Sequence, residues 1–121
     1  MIADAIQEVV SAVIPNTFQS VGDELIAKPY CIHESTDNAE YLKEGLAGYE
    51  YTTETAIVHE TADAAEALAV LVIAAVNGLA GQTKYNTDIE SVQYQGSEPG
   101  FNEATREYLK LLRFTIICKN R

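Results

Sequence analysis

Apolar residues recur at Ile2, Ile6, Val9, Val10, Val13 and Ile14, a spacing of three and four that lays one stripe along a helix. Pro15 lacks an amide hydrogen and disfavours helical backbone before it, so this helix is expected to stop at Ile14. Residues 15–28 read as a connection turning at Gly22, with Val21, Leu25 and Ile26 tucked against the core. Pro29 opens a short strand over Tyr30–Ser35, because proline is tolerated at a strand's first position. Thr36–Gly48 is polar, contains Gly45 and Gly48, and reads as a loop with one helical turn near Ala39–Glu44. A long strand then runs from Tyr49 to Glu60. One face carries Tyr49, Tyr51, Thr53, Thr55, Ile57 and His59, and the other Glu50, Thr52, Glu54, Ala56, Val58 and Glu60. At about 3.3 Å per residue it reaches roughly 40 Å, about twice a typical strand, so its first half is expected to overhang the core.

Asp63-Ala64-Ala65-Glu66 has capping-box spacing with Asp63 in the capping role. Leu68, Leu71, Val72, Ala75, Val76 and Leu79 trace the buried stripe of a second helix, with Gly81 as its C-terminal cap. Asp88–Gln95 alternates weakly and ends at Gly96, and Gly96-Ser97-Glu98-Pro99-Gly100 has loop chemistry. The last strand, Tyr108–Lys119, is nearly all apolar, which suits a central strand or one whose second face meets a partner. The order is therefore α-β-β-α-β-β. It predicts an α+β fold in which two helices cover one face of a mostly antiparallel four-stranded sheet, as a single domain over residues 1–121.

With 47% hydrophobic and 21% charged residues, the chain has the composition of a globular domain. No apolar run free of charge reaches the ~18 residues of a membrane span, so no membrane role is expected. The opening MIADAIQEVV carries Asp4 and Glu8 where a secretory signal carries Lys or Arg, and no targeting segment is read there. A net charge of −10 argues against nucleic-acid binding by phosphate neutralisation. Its distribution is uneven, because residues 106–121 hold five basic residues against Glu107 alone. An acidic body with a basic terminal strand could attract a copy of itself head to tail, or the cations could simply decorate an exposed strand. Cys31 and Cys118 form no ligand spacing and sit in apolar stretches, where free thiols behave as small hydrophobes.

No residue pattern carries catalysis. There is no Gly-rich phosphate loop, no GxSxG elbow and no HExxH. His33 and His59 occupy strands whose neighbouring carboxylates, Glu34 and Glu60, point to the opposite face, so structural histidines are expected and no metal site. Glu50 and Glu54 share a strand face about 13 Å apart, beyond the range of a paired-carboxylate hydrolase. They read as a solvated face, or as a lumen or partner surface. No enzyme and no cofactor are expected.

The strings Lys28-Pro29-Tyr30-Cys31-Ile32-His33-Glu34, Lys43-Glu44-Gly45, Tyr49-Glu50-Tyr51-Thr52-Thr53, Ile57-Val58, the helix within Ala62–Val76 and the closing Glu107–Ile116 resemble the tail completion proteins of long-tailed bacteriophages and prophages. That resemblance implies a ring, commonly a hexamer, at the head-proximal end of the tail tube. The ring would end tube growth or join tail to head, without catalytic residues or cofactor. It implies self-association, contact with the tail tube protein and head–tail connector proteins, and location in the virion tail after assembly in the bacterial cytoplasm. Lys43, Glu44, Tyr49, Tyr51, Arg106, Lys110 and Arg113 are the candidate subunit or tube contacts, and Glu50 and Glu54 the candidate lumen acids that would keep passing DNA from sticking. Two other readings stand beside this one: a different head–tail adaptor of the same fold, and a ferredoxin-like small-ligand-binding domain.

Overall fold

The computed structural model describes residues 2–19, 28–37 and 48–119. The first helix, α1 (Ile2–Ser11), buries Ile2, Ala3, Ala5, Ile6 and Val10. It ends in a turn in which the amides of Val13 and Ile14 both donate to the Val10 carbonyl at 2.9 Å, just ahead of Pro15. Three strands follow: β1 (Thr17–Gln19), β2 (Tyr30–Asp37) and β3 (Gly48–His59). The second helix, α2 (Ala62–Asn77), precedes β4 (Thr83–Lys84), β5 (Thr87–Asn102) and β6 (Glu107–Lys119).

The strands form one six-stranded sheet in the order β1-β2-β3-β6-β5-β4. The β1–β2 pair is parallel and every other pair antiparallel. The sheet is mixed and curls strongly into a half-barrel. This corrects the expected four-stranded, mostly antiparallel sheet. Two strands escape sequence patterning because they are too short to show a period. β1 lies in the stretch read as a connection, and β4 is half of a tight hairpin whose two turn residues, Tyr85 and Asn86, take left-handed φ values of 51° and 60°. The remaining residues of the connection and of the polar loop, 20–27 and 38–47, lie outside the described residues.

β5 holds the largest departure. The Gly96–Gly100 stretch is not a loop but strand, paired with β6 from Arg113 to Leu109. β6 supplies a continuous ladder on one side of it. On the other side β4 covers only Thr87 and Asp88, so beyond them β5 has no outer neighbour among the described residues. A proline is compatible with such an edge because its missing N–H leaves no inner ladder broken on both sides. The register slips at Ile89/Ser91 and Tyr94/Gly96, and Gly96 takes φ 117° at the second slip, a conformation that side-chain-bearing residues rarely adopt.

β3 does not overhang. It pairs residue for residue with β6 from Gly48↔Lys119 to His59↔Tyr108. β6 is central, as its apolar run predicts, and alternates Leu112, Phe114, Ile116 and Cys118 into the core. Both helices lie on that face, α1 toward β1 and β2, and α2 over β3, β6 and β5. The core joins Ile6 and Val10 of α1, Val72 and Val76 of α2, Ile57 of β3, Ile89 of β5 and the four inward residues of β6.

Two details of α2 differ from expectation. Its cap is Thr61, whose Oγ1 accepts from the Ala64 amide at 3.2 Å, while Asp63 sits in the first turn and Glu66 turns away to Lys110. The helix ends at Gly78 in ordinary helical backbone, and Gly81 holds the left-handed turn (φ 82°) three residues on. Its buried stripe is Ala65, Ala69, Val72, Val76 and Leu79; Leu71, expected in the core, is 54% exposed. The inward stripe prefers small residues because close approach to the curled sheet leaves no room for Leu at each turn. Truncating the central ring, Phe114→Ala, is expected to cost about 3–5 kcal/mol in urea denaturation. Val70→Ala, on the outward face, is expected to shift stability by no more than about 0.5 kcal/mol.

Candidate functional site

The sheet face away from the helices is built by the other residue of each alternating pair. On β3 these are Glu50, Thr52, Glu54 and Ala56, and on β6 Ile117, Thr115, Arg113 and Leu111. Cross-strand register makes one charged row of them. Glu34 of β2 lies opposite Glu54 of β3, and Glu54 lies opposite Arg113 of β6. The Arg113 Nε donates to Glu54 Oε2 at 2.8 Å, and one of its terminal nitrogens lies 3.9 Å from Glu98 of β5. Like charges directly opposite destabilise a sheet. Arg113 offsets that repulsion by pairing with Glu54 on one side, and it stands between this carboxylate of β3 and Glu98 of β5. Its side chain is 41% exposed, so the pair is worth no more than about 1 kcal/mol and is compatible with the register without determining it.

The candidate contact residues do not converge on one surface. Lys43 and Glu44 lie outside the described residues. Tyr49 and Tyr51 fall on the helix side of β3, half-buried, their ring centres 6.2 Å apart, with Tyr51 packed on the core. Burial raises the Tyr51 hydroxyl above the ordinary tyrosine value, and Asp37 adds to the rise. Lys110 is on the helix side as well, with its ammonium 2.8 Å from Glu66 of α2. Arg113, Glu50 and Glu54 share the opposite face. Arg106 sits at the β5–β6 turn with a left-handed φ of 56°, apart from the others. Most of the terminal cations are paired inside the chain: Lys110 with Glu66, Arg113 with Glu54, and Lys119 with Glu90 at 3.7 Å.

The helix side holds a polar cluster that sequence reading misses. His33 is fully buried, and its Nε2 lies 2.7 Å from Gln7 Oε1 of α1. The Gln7 amide nitrogen donates to the Thr17 carbonyl of β1 at 2.8 Å, which turns its oxygen toward the imidazole and puts the ring hydrogen on Nε2. Thr17 Oγ1 donates back to the Ile14 carbonyl. Gln7 thereby ties α1 to β1 and β2 at once. Nearby on the same face, Ser35 and Thr53 hydroxyls meet at 2.9 Å, while His33 Nδ1 and Thr55 Oγ1 have no partner among the described residues. The expected structural histidine is therefore only half satisfied. A lone Gln on an otherwise amphipathic helix is the signal that points to the cluster. His59 is partly exposed, and its Nδ1 accepts from the Glu60 amide at 2.7 Å.

Neither thiol is set up for chemistry. Burial pushes Cys31 up to about 12 and Cys118 up to about 11, and β3 lies between their strands. Among the described residues no group of three His, Cys, Asp or Glu is placed to hold a metal ion, and no helix is long and apolar enough to cross a membrane. A cleft of about 390 Å³ between the start of α1 and the ends of β1 and β2 has Asp37 and Tyr51 as its titratable lining. A second, open notch runs along the β5–β6 hairpin beside Phe101, with Glu103 as its titratable group.

No family model matches this chain, and no curated protein matches it. Among solved structures, the fold is shared with a chain of the virion of a native gene transfer agent particle. The superposition has a TM-score of 0.63 at 13% identity and covers 97% of this chain and 93% of that one. At that identity the likeness establishes the shared fold.

Burial lowers the His33 pKa below its ordinary value near 6.5, so the unfolded chain takes up this proton before the folded chain does. The stability tied to His33 is whole above about pH 6.5 and declines as pH falls below it. The melting temperature is expected to drop between pH 7.5 and pH 5.5, and His33→Gln to flatten that slope whatever its effect at pH 7.5.

Proposed function

We propose that this chain is a structural component of a phage-like virion. In this reading it forms a ring at the head-proximal end of the tail tube, where it ends tube growth or joins tail to head. The observation that carries the proposal is the fold shared along nearly the whole of both chains with a virion component. The strings from Lys28 to Glu34 and from Glu107 to Ile116 support it, through their resemblance to tail completion proteins.

The surfaces agree with such a role. From Ser97 to Arg106 every residue of the β5–β6 hairpin is exposed, an investment of chain that adds little to the subunit's own core. Rings of identical subunits use two different patches per copy in contacts that close, and a projecting hairpin is suited to provide one of them. The acids Glu34, Glu54 and Glu98 on the face away from the helices suit a surface that DNA passes without adhering. The partners in this reading are further copies of the chain, the tail tube protein and the head–tail connector proteins, and no step of catalysis is assigned.

Deleting the gene from the phage or prophage that encodes it tests the proposal by electron microscopy of the particles. Overlong tubes are expected if the ring ends growth, and normal tails beside unattached heads if it joins them. Particles of normal form and yield would refute the role.

A further inference from the structure

The outward face of α2 is unusual for a helix at a surface. No charged residue occurs between Ala67 and Gly81, and the face turned from the sheet presents Val70 at 62% and Leu71 at 54% exposure between exposed Ala67 and Ala74. A helix apolar all round is normally covered on all sides. The N-terminal border of this apolar shelf is Asp63, which is exposed and makes no ion pair among the described residues.

The complement of that shelf is on the same chain. At the β5–β6 tip, Phe101 is 46% exposed and its ring packs 4.6 Å from that of Tyr108. Arg106 sits in the turn beside them. Lys28, Lys84, Lys110, Arg113 and Lys119 all pair with carboxylates of their own chain, which leaves Arg106 as the one described Lys or Arg without an ion pair. Glu103, the tip's other exposed charge, suits the positive end of a helix at its N-terminus. The tip is also pre-ordered. The Asn102 side-chain oxygen accepts from the amides of Ala104 and Thr105 at 3.0 and 3.4 Å. The Thr105 hydroxyl donates to Glu107 at 2.8 Å, which with Lys28 holds that carboxyl below its ordinary value. Docking a surface already ordered loses little conformational entropy.

We propose that the β5–β6 tip of one copy docks on the outward face of α2 of a second copy. Phe101 and Tyr108 cover Val70 and Leu71, and Arg106 meets Asp63. This rests on the self-assembling part of the function proposed above. The occupant is a second copy because the two patches match in both character and charge: an aromatic pair for an aliphatic shelf, and an unengaged guanidinium for an unengaged carboxylate. Aromatic and Arg side chains are also the ones that most often dominate interface energies. The contact joins unlike patches, so it extends from copy to copy until it closes.

The test is directional crosslinking of the full chain. Ala62→Cys places a thiol beside Asp63, and Ala104→Cys places one on the tip; both native thiols are buried. A short bismaleimide is expected to give a covalent dimer from the mixed variants, and at least about tenfold less from either variant alone. Adding Leu71→Asp to the Ala62→Cys copy is expected to cut the yield about tenfold, and adding it to the Ala104→Cys copy to leave it unchanged. Arg106→Glu is expected to act the opposite way, on the Ala104→Cys copy only. Melting temperatures confirm that each variant is folded. No dimer specific to the mixture, or losses that do not follow this direction, would overturn the docking. Normal particles after gene deletion, with the directional crosslink intact, would instead sink the virion role and leave the docking standing.

Discussion

The fold depends on the double duty of β6. It is hydrogen-bonded along its whole length to β3 on one side and β5 on the other, and each alternate side chain answers to a different face. Leu112, Phe114, Ile116 and Cys118 enter the core under the helices, while Leu111, Arg113, Thr115 and Ile117 lie on the opposite face. A slip of one residue would bury Arg113 and expel Phe114, so the hydrophobic pattern of this single strand sets the register of its two neighbours. The helices then have one place to lie. α2 can approach closely because its inward stripe begins with Ala65 and Ala69 and reaches branched residues only at Val72 and Val76.

Electrostatics follow from that register. A chain with 18 acidic and 8 basic residues cannot neutralise its carboxylates one by one, and it distributes its cations where strands meet. Arg113 ties β6 to β3 and approaches β5, Lys110 ties β6 to α2, and Lys84 ties the β4 hairpin to Glu8 of α1 at 3.3 Å. Each pair has an acid that is at least two-fifths exposed and stabilises little alone. Together they oppose the self-repulsion of the acidic body at the seams between elements. At the buried seam of α1 with β1 and β2 the same linking task falls to neutral groups, with Gln7 bridging His33 and the Thr17 carbonyl where a charge would be poorly solvated.

Sequence alone makes legible what periodicity encodes. α1, α2, the long β3 and the central place of β6 all follow from spacing, and Pro15 and Pro29 mark boundaries close to where they fall. What sequence hides is set by partners distant along the chain. Gly96–Gly100 has the chemistry of a loop and becomes strand because β6 lies beside it. β1 has three residues, too few for any period, and the curl depends on bulges that only the pairing of β5 with β6 reveals. Leu71 fits a helical stripe as well as Val72 does, and only the position of the sheet decides which is inside. The candidate site shows the same limit. Glu54 and Arg113 carry separate expected roles in the sequence, yet they form one ion pair across 59 residues of chain.

The outer margin of β5 bears on how the subunit behaves in bulk. A straight unpaired strand of this length would be a template for adding further strands edge to edge. Here the margin is broken by two register slips, by a glycine in left-handed backbone, by Pro99 and by the acids Glu90 and Glu98. Ribbon growth along that margin is obstructed at several points within a few residues. A strand added there would lose its ladder at each of these points, so edge pairing is an unfavourable way for two such chains to meet.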